Sequence, residues 1–158
     1  LARLIAAVER ERTKKPDTYQ GGANAKLLAA LRKILFEKIP EDPSRGEYRQ
    51  GDTLGPENKH WFRAKFGGQR FRLFFRYDSK AKILIYAWVN DANTLQTYGD
   101  KNDAYAVFRK MLANGNPPSN WAELLKASTA ATATERLRAV HVEHAEPKAP
   151  EGSESPPR

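Results

Sequence analysis

Lys59-His-Trp-Phe-Arg-Ala-Lys-Phe66, Gln69-Arg-Phe-Arg-Leu-Phe-Phe-Arg-Tyr77 and Lys82-Ile-Leu-Ile-Tyr-Ala-Trp-Val-Asn90 are three strand-like runs, separated by Gly67-Gly68 and by Asp78-Ser79-Lys80. Gly-Gly between two such runs is a hairpin signal, and connections this short predict an antiparallel meander. Alternate side chains of a strand point to opposite faces. On that parity Phe62, Ala64, Phe66, Phe71, Leu73, Phe75, Tyr77, Ile83, Ile85, Ala87 and Val89 form one apolar face. The opposite face holds Lys59, Trp61, Arg63, Lys65, Arg70, Arg72, Phe74, Arg76, Lys82, Leu84, Tyr86 and Trp88. The expectation is that helices cover the first face and leave the second as an open surface of cations and rings.

The flanking sequence supplies those helices. Leu1, Leu4, Ile5 and Val8 recur at helical spacing, and Leu27, Leu28, Leu31, Ile34, Leu35 and Ile39 form the stripe of a second helix over 24–38, stopped by Pro40 and Pro43. After the strands a helix over 102–114 carries Tyr105, Val107, Phe108, Met111 and Leu112, with Gly115 as its stop. A short helix around Trp121, Leu124 and Leu125 follows Pro117-Pro118, with Asn120 and Glu123 in capping-box register. The fold class is α+β: a small three-stranded antiparallel sheet packed against helices. Residues 1–127 form the domain, and the Ala/Thr then Pro/Glu/Ser-rich stretch 128–158 reads as a disordered tail.

The charge is localised. The chain of 158 residues carries a net +8, but 128–158 has four basic and five acidic residues, so 1–127 carry all of the excess. Residues 45–82 alone hold ten basic against four acidic side chains. An acidic partner follows, nucleic acid first. Arg and Lys pair with phosphates, and aromatic rings offer planes for unstacked bases, so the second sheet face suits RNA or single-stranded nucleic acid. A plain solvated sheet face is the alternative that the pattern leaves open.

Other chemistries are missing from the sequence. There is no Cys, which removes disulfides, thiolate metal sites and cysteine nucleophiles. No Walker A, dinucleotide fingerprint, nucleophile elbow or zincin pattern is present. His141-Val-Glu-His144 has ligand spacing but lies in the low-complexity tail, and His60 reads as a core or strand-edge histidine. Asp91, Asp100 and Asp103 read as turn and helix-start residues, so neither a metal nor a cofactor is expected. No apolar run approaches the roughly 20 residues of a membrane helix, and no secretory leader is visible at Leu1. A cytoplasmic protein is expected. The start without Met, already in a helical pattern, reads as that of a truncated chain.

Lys59-His-Trp-Phe-Arg-Ala-Lys-Phe-Gly67, Arg70-Phe-Arg-Leu-Phe-Phe-Arg-Tyr77, Trp88-Val-Asn-Asp-Ala-Asn-Thr-Leu-Gln-Thr-Tyr-Gly99, Lys101-Asn-Asp-Ala-Tyr-Ala-Val-Phe-Arg-Lys-Met-Leu112 and Gly115-Asn-Pro-Pro-Ser-Asn-Trp121 together resemble the YhaV toxins of bacterial type II toxin–antitoxin modules. The resemblance spans about 1–127 and is densest over 48–125. It implies a RelE/ParE-like fold whose usual leading strand is missing here. It also implies a metal-independent endoribonuclease acting on mRNA in connection with the ribosome, with a PrlF-like, swapped-hairpin antitoxin as partner. Carried over position by position, Arg63, Lys65, Arg72 and Tyr98 match the catalytic set, Arg72 as the phosphate-binding strand arginine and Tyr98 as the tyrosine that stacks or moves a proton. Lys59, Trp61, Arg70, Arg76, Tyr86 and Trp88 are the expected RNA contacts. Ala92 and Gln96 stand where such enzymes often place an arginine. That leaves a non-catalytic RNA-, ribosome- or target-binding module of the same fold as the alternative.

Overall fold

A computed structural model describes residues 1–94 and 101–129. Tyr98, Gln96 and Asp100, together with the expected tail from residue 130 onward, lie outside the described residues. Helix α1 (Ala2–Lys14) is followed, after a 3-10 turn at Tyr19–Gly21, by α2 (Ala23–Lys33). The second helix does not stop at Pro40. It passes through a π-helical turn at Ile34–Lys38 into one more α-turn, α3 (Ile39–Glu41). A proline ring clashes with the carbonyl four residues back, and widening the preceding turn to i→i+5 bonding relieves that clash; the Ile39 amide bonds Ile34 O. The carbonyls displaced by the wide turn find side-chain donors: Tyr48 Oη donates to Lys38 O at 3.3 Å and Tyr86 Oη to Leu35 O.

The connection over 45–58 is knit by two buried amides. Gln50 Nε2 donates to Asn58 O (3.0 Å), Gln50 Oε1 accepts from the Leu54 amide (3.1 Å), and Asn58 Nδ2 donates to Leu54 O (2.9 Å). The sheet then runs β1 (Phe62–Phe66), β2 (Phe71–Asp78), β3 (Ile83–Val89), in that spatial order and antiparallel throughout, as the short turns predict. The first hairpin is longer than Gly-Gly alone. Gly67, Gly68 and Gln69 all have φ near +60°, and Arg70 completes a four-residue loop, so Arg70 is an exposed turn residue rather than part of a strand. A Cβ on Gly67 would meet Phe71 Cδ2 at 2.7 Å and Leu27 Cδ1 at 2.9 Å, so a larger residue there must displace both side chains.

Helix α4 (Ala104–Ala113) begins at Asp103, whose Oδ1 accepts the Tyr105 amide at 2.9 Å. It ends in a paired C-terminal bond set, Gly115 N to Leu112 O and Asn116 N to Met111 O, with Gly115 at φ +74°. Helix α5 (Trp121–Thr129) starts with Asn120 Oδ1 accepting the Glu123 amide at 3.1 Å.

Two cores flank the sheet, and this overturns the expectation of one open face. Ile5, Val8, Leu28, Leu31, Leu35 and Ile39 pack with Phe62, Ala64, Phe66, Leu73 and Phe75 on the first side. Trp61, Phe74 and Ile85 pack with Tyr105, Phe108 and Leu112 of α4 and Leu124 of α5 on the second. Phe108 lies against Phe74 at 4.2 Å between ring centres and edge-on to Trp61 at 5.2 Å. The register explains the rest. Phe74 pairs with Trp88 but Phe75 with Tyr86, so Ala87 is the extra residue of a β-bulge. Parity in β3 therefore reverses across the bulge: Leu84, Tyr86 and Val89 join the first core, whereas Ile83, Ala87 and Trp88 join the second.

Candidate nucleic-acid interface

Helices α4 and α5 cover most of the second sheet face, which leaves one end of it, beside Tyr105, to the cations of β1 and β2. Three of the four expected catalytic residues converge there. Lys65 pairs directly with Arg72 across the two strands, and Arg63 sits two positions earlier on the same side of β1. Lys65 is exposed, Arg63 half-buried and Arg72 only 2% exposed.

Arg72 is the structural centre of the group. Its Nε donates to Tyr105 Oη at 3.2 Å, its Nη1 donates to Phe71 O at 3.0 Å and to Gln69 O, and its own amide is bound by Asn90 Oδ1 at 2.6 Å. The guanidinium carbon lies 5.8 Å from the Tyr105 ring centre. An exposed phosphate-binding position was expected for Arg72; the residue is instead enclosed, because the hairpin carbonyls and α4 close over it.

Arg63 also lies against that ring, 6.0 Å from the Tyr105 centre, with Nη2 donating to Arg49 O at 3.0 Å. Its Nε is buried and has no hydrogen-bond partner among the described residues. A buried charged donor left unmatched is costly. Burial lowers the Arg63 pKa, although a guanidinium stays protonated. Lys65 is pulled below the ordinary lysine value first by the Arg63 charge, then by partial burial and by Arg72. Among the described residues neither Arg63 nor Lys65 has a carboxylate within ion-pair distance. Three like charges held together in this way create a strongly positive spot that an anion would relieve.

The expected RNA contacts divide. Trp61 is fully buried against Phe108, because the residue before β1 turns into the second core, so it offers no face to a base. Tyr86 lies on the opposite side of the sheet owing to the bulge, with its hydroxyl on Leu35 O and burial raising its pKa. Arg76 is held between Trp61 and Trp121, 5.4 Å from each ring centre, with Nη1 on Ser119 O at 2.9 Å; it ties α5 to the sheet. Trp88 is half-buried and stacked on Phe74 and Phe108. These four were expected on an open surface, and packing by α4 and α5 or the bulge removes them from it. Lys59 is exposed but sits in the turn before β1, 3.1 Å from Asp52. Arg70 remains exposed in the hairpin.

Tyr105, Asn90 and Arg49 belong to this arrangement and were not among the expected site residues. Tyr105 carried a signal: a hydroxyl on an apolar helix stripe needs a partner when buried. Among the described residues no cluster of three or more His, Asp or Glu could hold a metal ion. No helix among them is long and apolar enough to cross a membrane.

Comparison with known proteins gives this arrangement its context. No solved structure matches the chain. The ribonuclease toxin YhaV of Escherichia coli K12 is 50% identical over 124 residues, covering 78% of this chain and 80% of the relative. Toxin YhaV of E. coli O6:H1 is 51% identical over 122 residues, 77% and 79% of the two chains. The family model of toxins with endonuclease activity, of toxin–antitoxin systems, matches residues 1–129, which contain the whole Arg63, Lys65 and Arg72 cluster. This chain therefore belongs to the YhaV family of endonuclease toxins.

Proposed function

We propose that the chain is the ribonuclease of a type II toxin–antitoxin pair and that Arg63 and Lys65 form its phosphate site. The substrate is mRNA, read in connection with the ribosome in the cytoplasm, and the antitoxin is PrlF-like with a swapped-hairpin fold. The reaction is attack of a ribose 2′-oxygen on the adjacent phosphorus. A P–O2′ bond forms, the P–O5′ bond breaks, the 2′-hydroxyl loses a proton and the departing 5′-oxygen gains one. The products are a 2′,3′-cyclic phosphate and a free 5′-hydroxyl. Negative charge builds on the phosphoryl oxygens in the transition state, and preorganised donors aimed at it supply the rate enhancement. Arg63 and Lys65 are those donors, and Arg72 acts from behind as a positioning residue by fixing Tyr105 and the hairpin. Tyr98 is the proposed stacking or proton-transfer residue, and Lys59 and Arg70 are outlying RNA contacts.

The observation that carries this reading is the convergence of Arg63 and Lys65 beside Arg72, with no carboxylate within ion-pair distance of Arg63 or Lys65 among the described residues. The test is incubation of the purified protein with RNA in EDTA, with and without ribosomes. New 2′,3′-cyclic phosphate ends are expected from the native chain, together with a loss on the order of 100-fold or more in Arg63→Ala. RNA retention without cleavage assigns the fold to a binding module instead, and undiminished cleavage by Arg63→Ala removes the site assignment.

A further inference from the structure

On the open side of β1 the proposed phosphate site continues into a further cationic feature. A groove of about 530 Å³ runs between the π-turn of the second helix, the turn at Gly46–Tyr48 and the β1 edge. Its walls include Lys38, Arg49, Arg63, Lys65 and Gln69, together with Glu47. Glu47 is already 3.8 Å from Arg45, so its charge is partly spoken for, while Lys38 and Arg49 are exposed and have no ion pair among the described residues.

The positions of these two cations are built, not incidental. Lys38, the last residue of the π-turn, lines the groove opposite β1, and Tyr48 Oη, bonded to Lys38 O, joins that turn to the loop bearing Arg49. The Arg49 guanidinium rests on the Phe62 ring at 4.6 Å, and its backbone bridges Phe62 while its carbonyl receives Arg63 Nη2. One groove therefore joins Arg63 to Arg49 and Lys38.

We infer that this groove is a phosphate track for single-stranded RNA, in which Lys38 and Arg49 bind the backbone phosphates flanking the one held by Arg63 and Lys65. The inference rests on the proposed phosphate site and extends it by two residues. An acidic polypeptide is the competing occupant, and it would use the β1 edge by adding a strand. The bridge from Arg49 to Phe62 and the side-chain bond from Arg63 already occupy the start of that edge, so the groove offers side-chain cations more than free backbone groups. That favours a polyanion without a peptide backbone.

The salt dependence of binding tests it. A roughly 12-nucleotide 2′-O-methyl oligouridylate is a suitable probe, since it lacks the attacking hydroxyl and its length falls within single-stranded site sizes. Each phosphate contact contributes about 0.7 to the slope of log K against log salt for single strands. Lys38→Gln with Arg49→Gln is expected to make that slope shallower by about 1.4, and to weaken binding roughly 10- to 30-fold near 0.1 M salt. Arg45→Gln, on the same loop but paired with Glu41 and Glu47, is expected to leave the slope unchanged. Circular dichroism and the unfolding midpoint check that the double variant is folded.

An unchanged slope in the folded double variant overturns the track. An equal fall in Arg45→Gln also overturns it, because general surface charge would then account for the effect. Loss of polyglutamate binding with oligouridylate binding intact assigns the groove to an acidic polypeptide and overturns the RNA reading. The phosphate-site reading fails separately: Arg63→Ala that still cleaves removes the catalytic assignment whatever the slope, and a shallower slope in Lys38→Gln/Arg49→Gln then leaves the track standing as an RNA-binding surface.

Discussion

The hydroxyl of Tyr105 accepts a hydrogen bond from Arg72 Nε at 3.2 Å, and the same ring carries the guanidinium of Arg63 over it at 6.0 Å. One helical tyrosine thus couples an enclosed arginine of β2 to a half-open arginine of β1. Because Tyr105 lies two residues after the Asp103 cap, which accepts its amide, its place is set by where α4 begins. Burial of Phe108 one turn later holds that helix to the sheet.

Tyr105→Phe separates the hydroxyl from the ring. The ring stays to support Arg63 and to meet Phe74 edge-on at 5.6 Å, while Arg72 loses an acceptor in a buried place. Taking the acceptor from a buried donor costs about 1–3 kcal/mol, or more when the donor is charged. The expected outcome is destabilisation of that size in urea unfolding, with RNA cleavage reduced beyond what the unfolded fraction explains. Cleavage at the native rate by a destabilised variant would separate Arg72 from the site.

Lys65 and Arg63 interact through charge. Arg63 is the largest cause of the low Lys65 pKa, ahead of partial burial and Arg72. Removing the Arg63 charge in Arg63→Ala is expected to raise the Lys65 pKa back toward the ordinary lysine value, which NMR titration of the side-chain ammonium reads directly. In the native protein the basic limb of the cleavage profile is expected to fall below the pH at which a free lysine loses its proton. An unshifted Lys65 in Arg63→Ala would mean that the two charges do not meet.

His60 makes folding sensitive to mild acid. Burial is the first cause of its lowered pKa and Arg76 the second, and its Nε2 has no partner among the described residues. In the unfolded chain His60 takes up a proton near pH 6.5, whereas the folded chain resists doing so until a lower pH. Stability therefore falls as pH drops through about 6.5 and stops falling, for this group, once the folded-state pKa is passed. His60→Leu is expected to flatten the unfolding midpoint between pH 7 and roughly 5 relative to the native chain. Equal slopes would exclude His60 as the cause.

Much of this architecture was legible in the sequence, and the errors arose where tertiary contacts override local pattern. Short turns fixed the antiparallel order, Asp103 and Asn120 marked their helix starts, and Gly115 marked a stop, because each is a local signal. The face assignment failed because strand parity cannot reveal a bulge: Ala87 fits a perfect alternation on either side of it. Yet Trp61 and Phe74 stood among the cations, and α4 and α5 brought apolar stripes that needed a surface. Those features already indicated a second covered face. In the candidate site, the resemblance pointed to Arg63 and Lys65, and parity placed them on one face correctly because β1 pairs with β2 without a bulge. The burial of Arg72 was hidden, since it depends on the hairpin carbonyls and on a tyrosine 33 residues away.

Asn90 joins the end of β3 to both sides of this site. It is 4% exposed; its Oδ1 accepts the Arg72 amide at 2.6 Å, its Nδ2 donates to Thr94 O at 2.8 Å, and its own amide bonds Arg72 O at 3.3 Å. Asn90→Asp keeps an acceptor for the Arg72 amide and removes the donor to Thr94, whereas Asn90→Leu removes both. If the amide acts by closing the ladder onto Arg72, Asn90→Leu costs about 1–3 kcal/mol by stranding a buried amide, and Asn90→Asp costs less. If the bond to Thr94 matters more, the two variants destabilise alike. The first order is expected, because the Arg72 amide is the buried partner and Asp91 separately holds Thr94 through its hydroxyl. Chemical denaturation of the pair decides between them, and hydrogen exchange at the Arg72 amide, faster in Asn90→Leu than in Asn90→Asp, locates the broken contact.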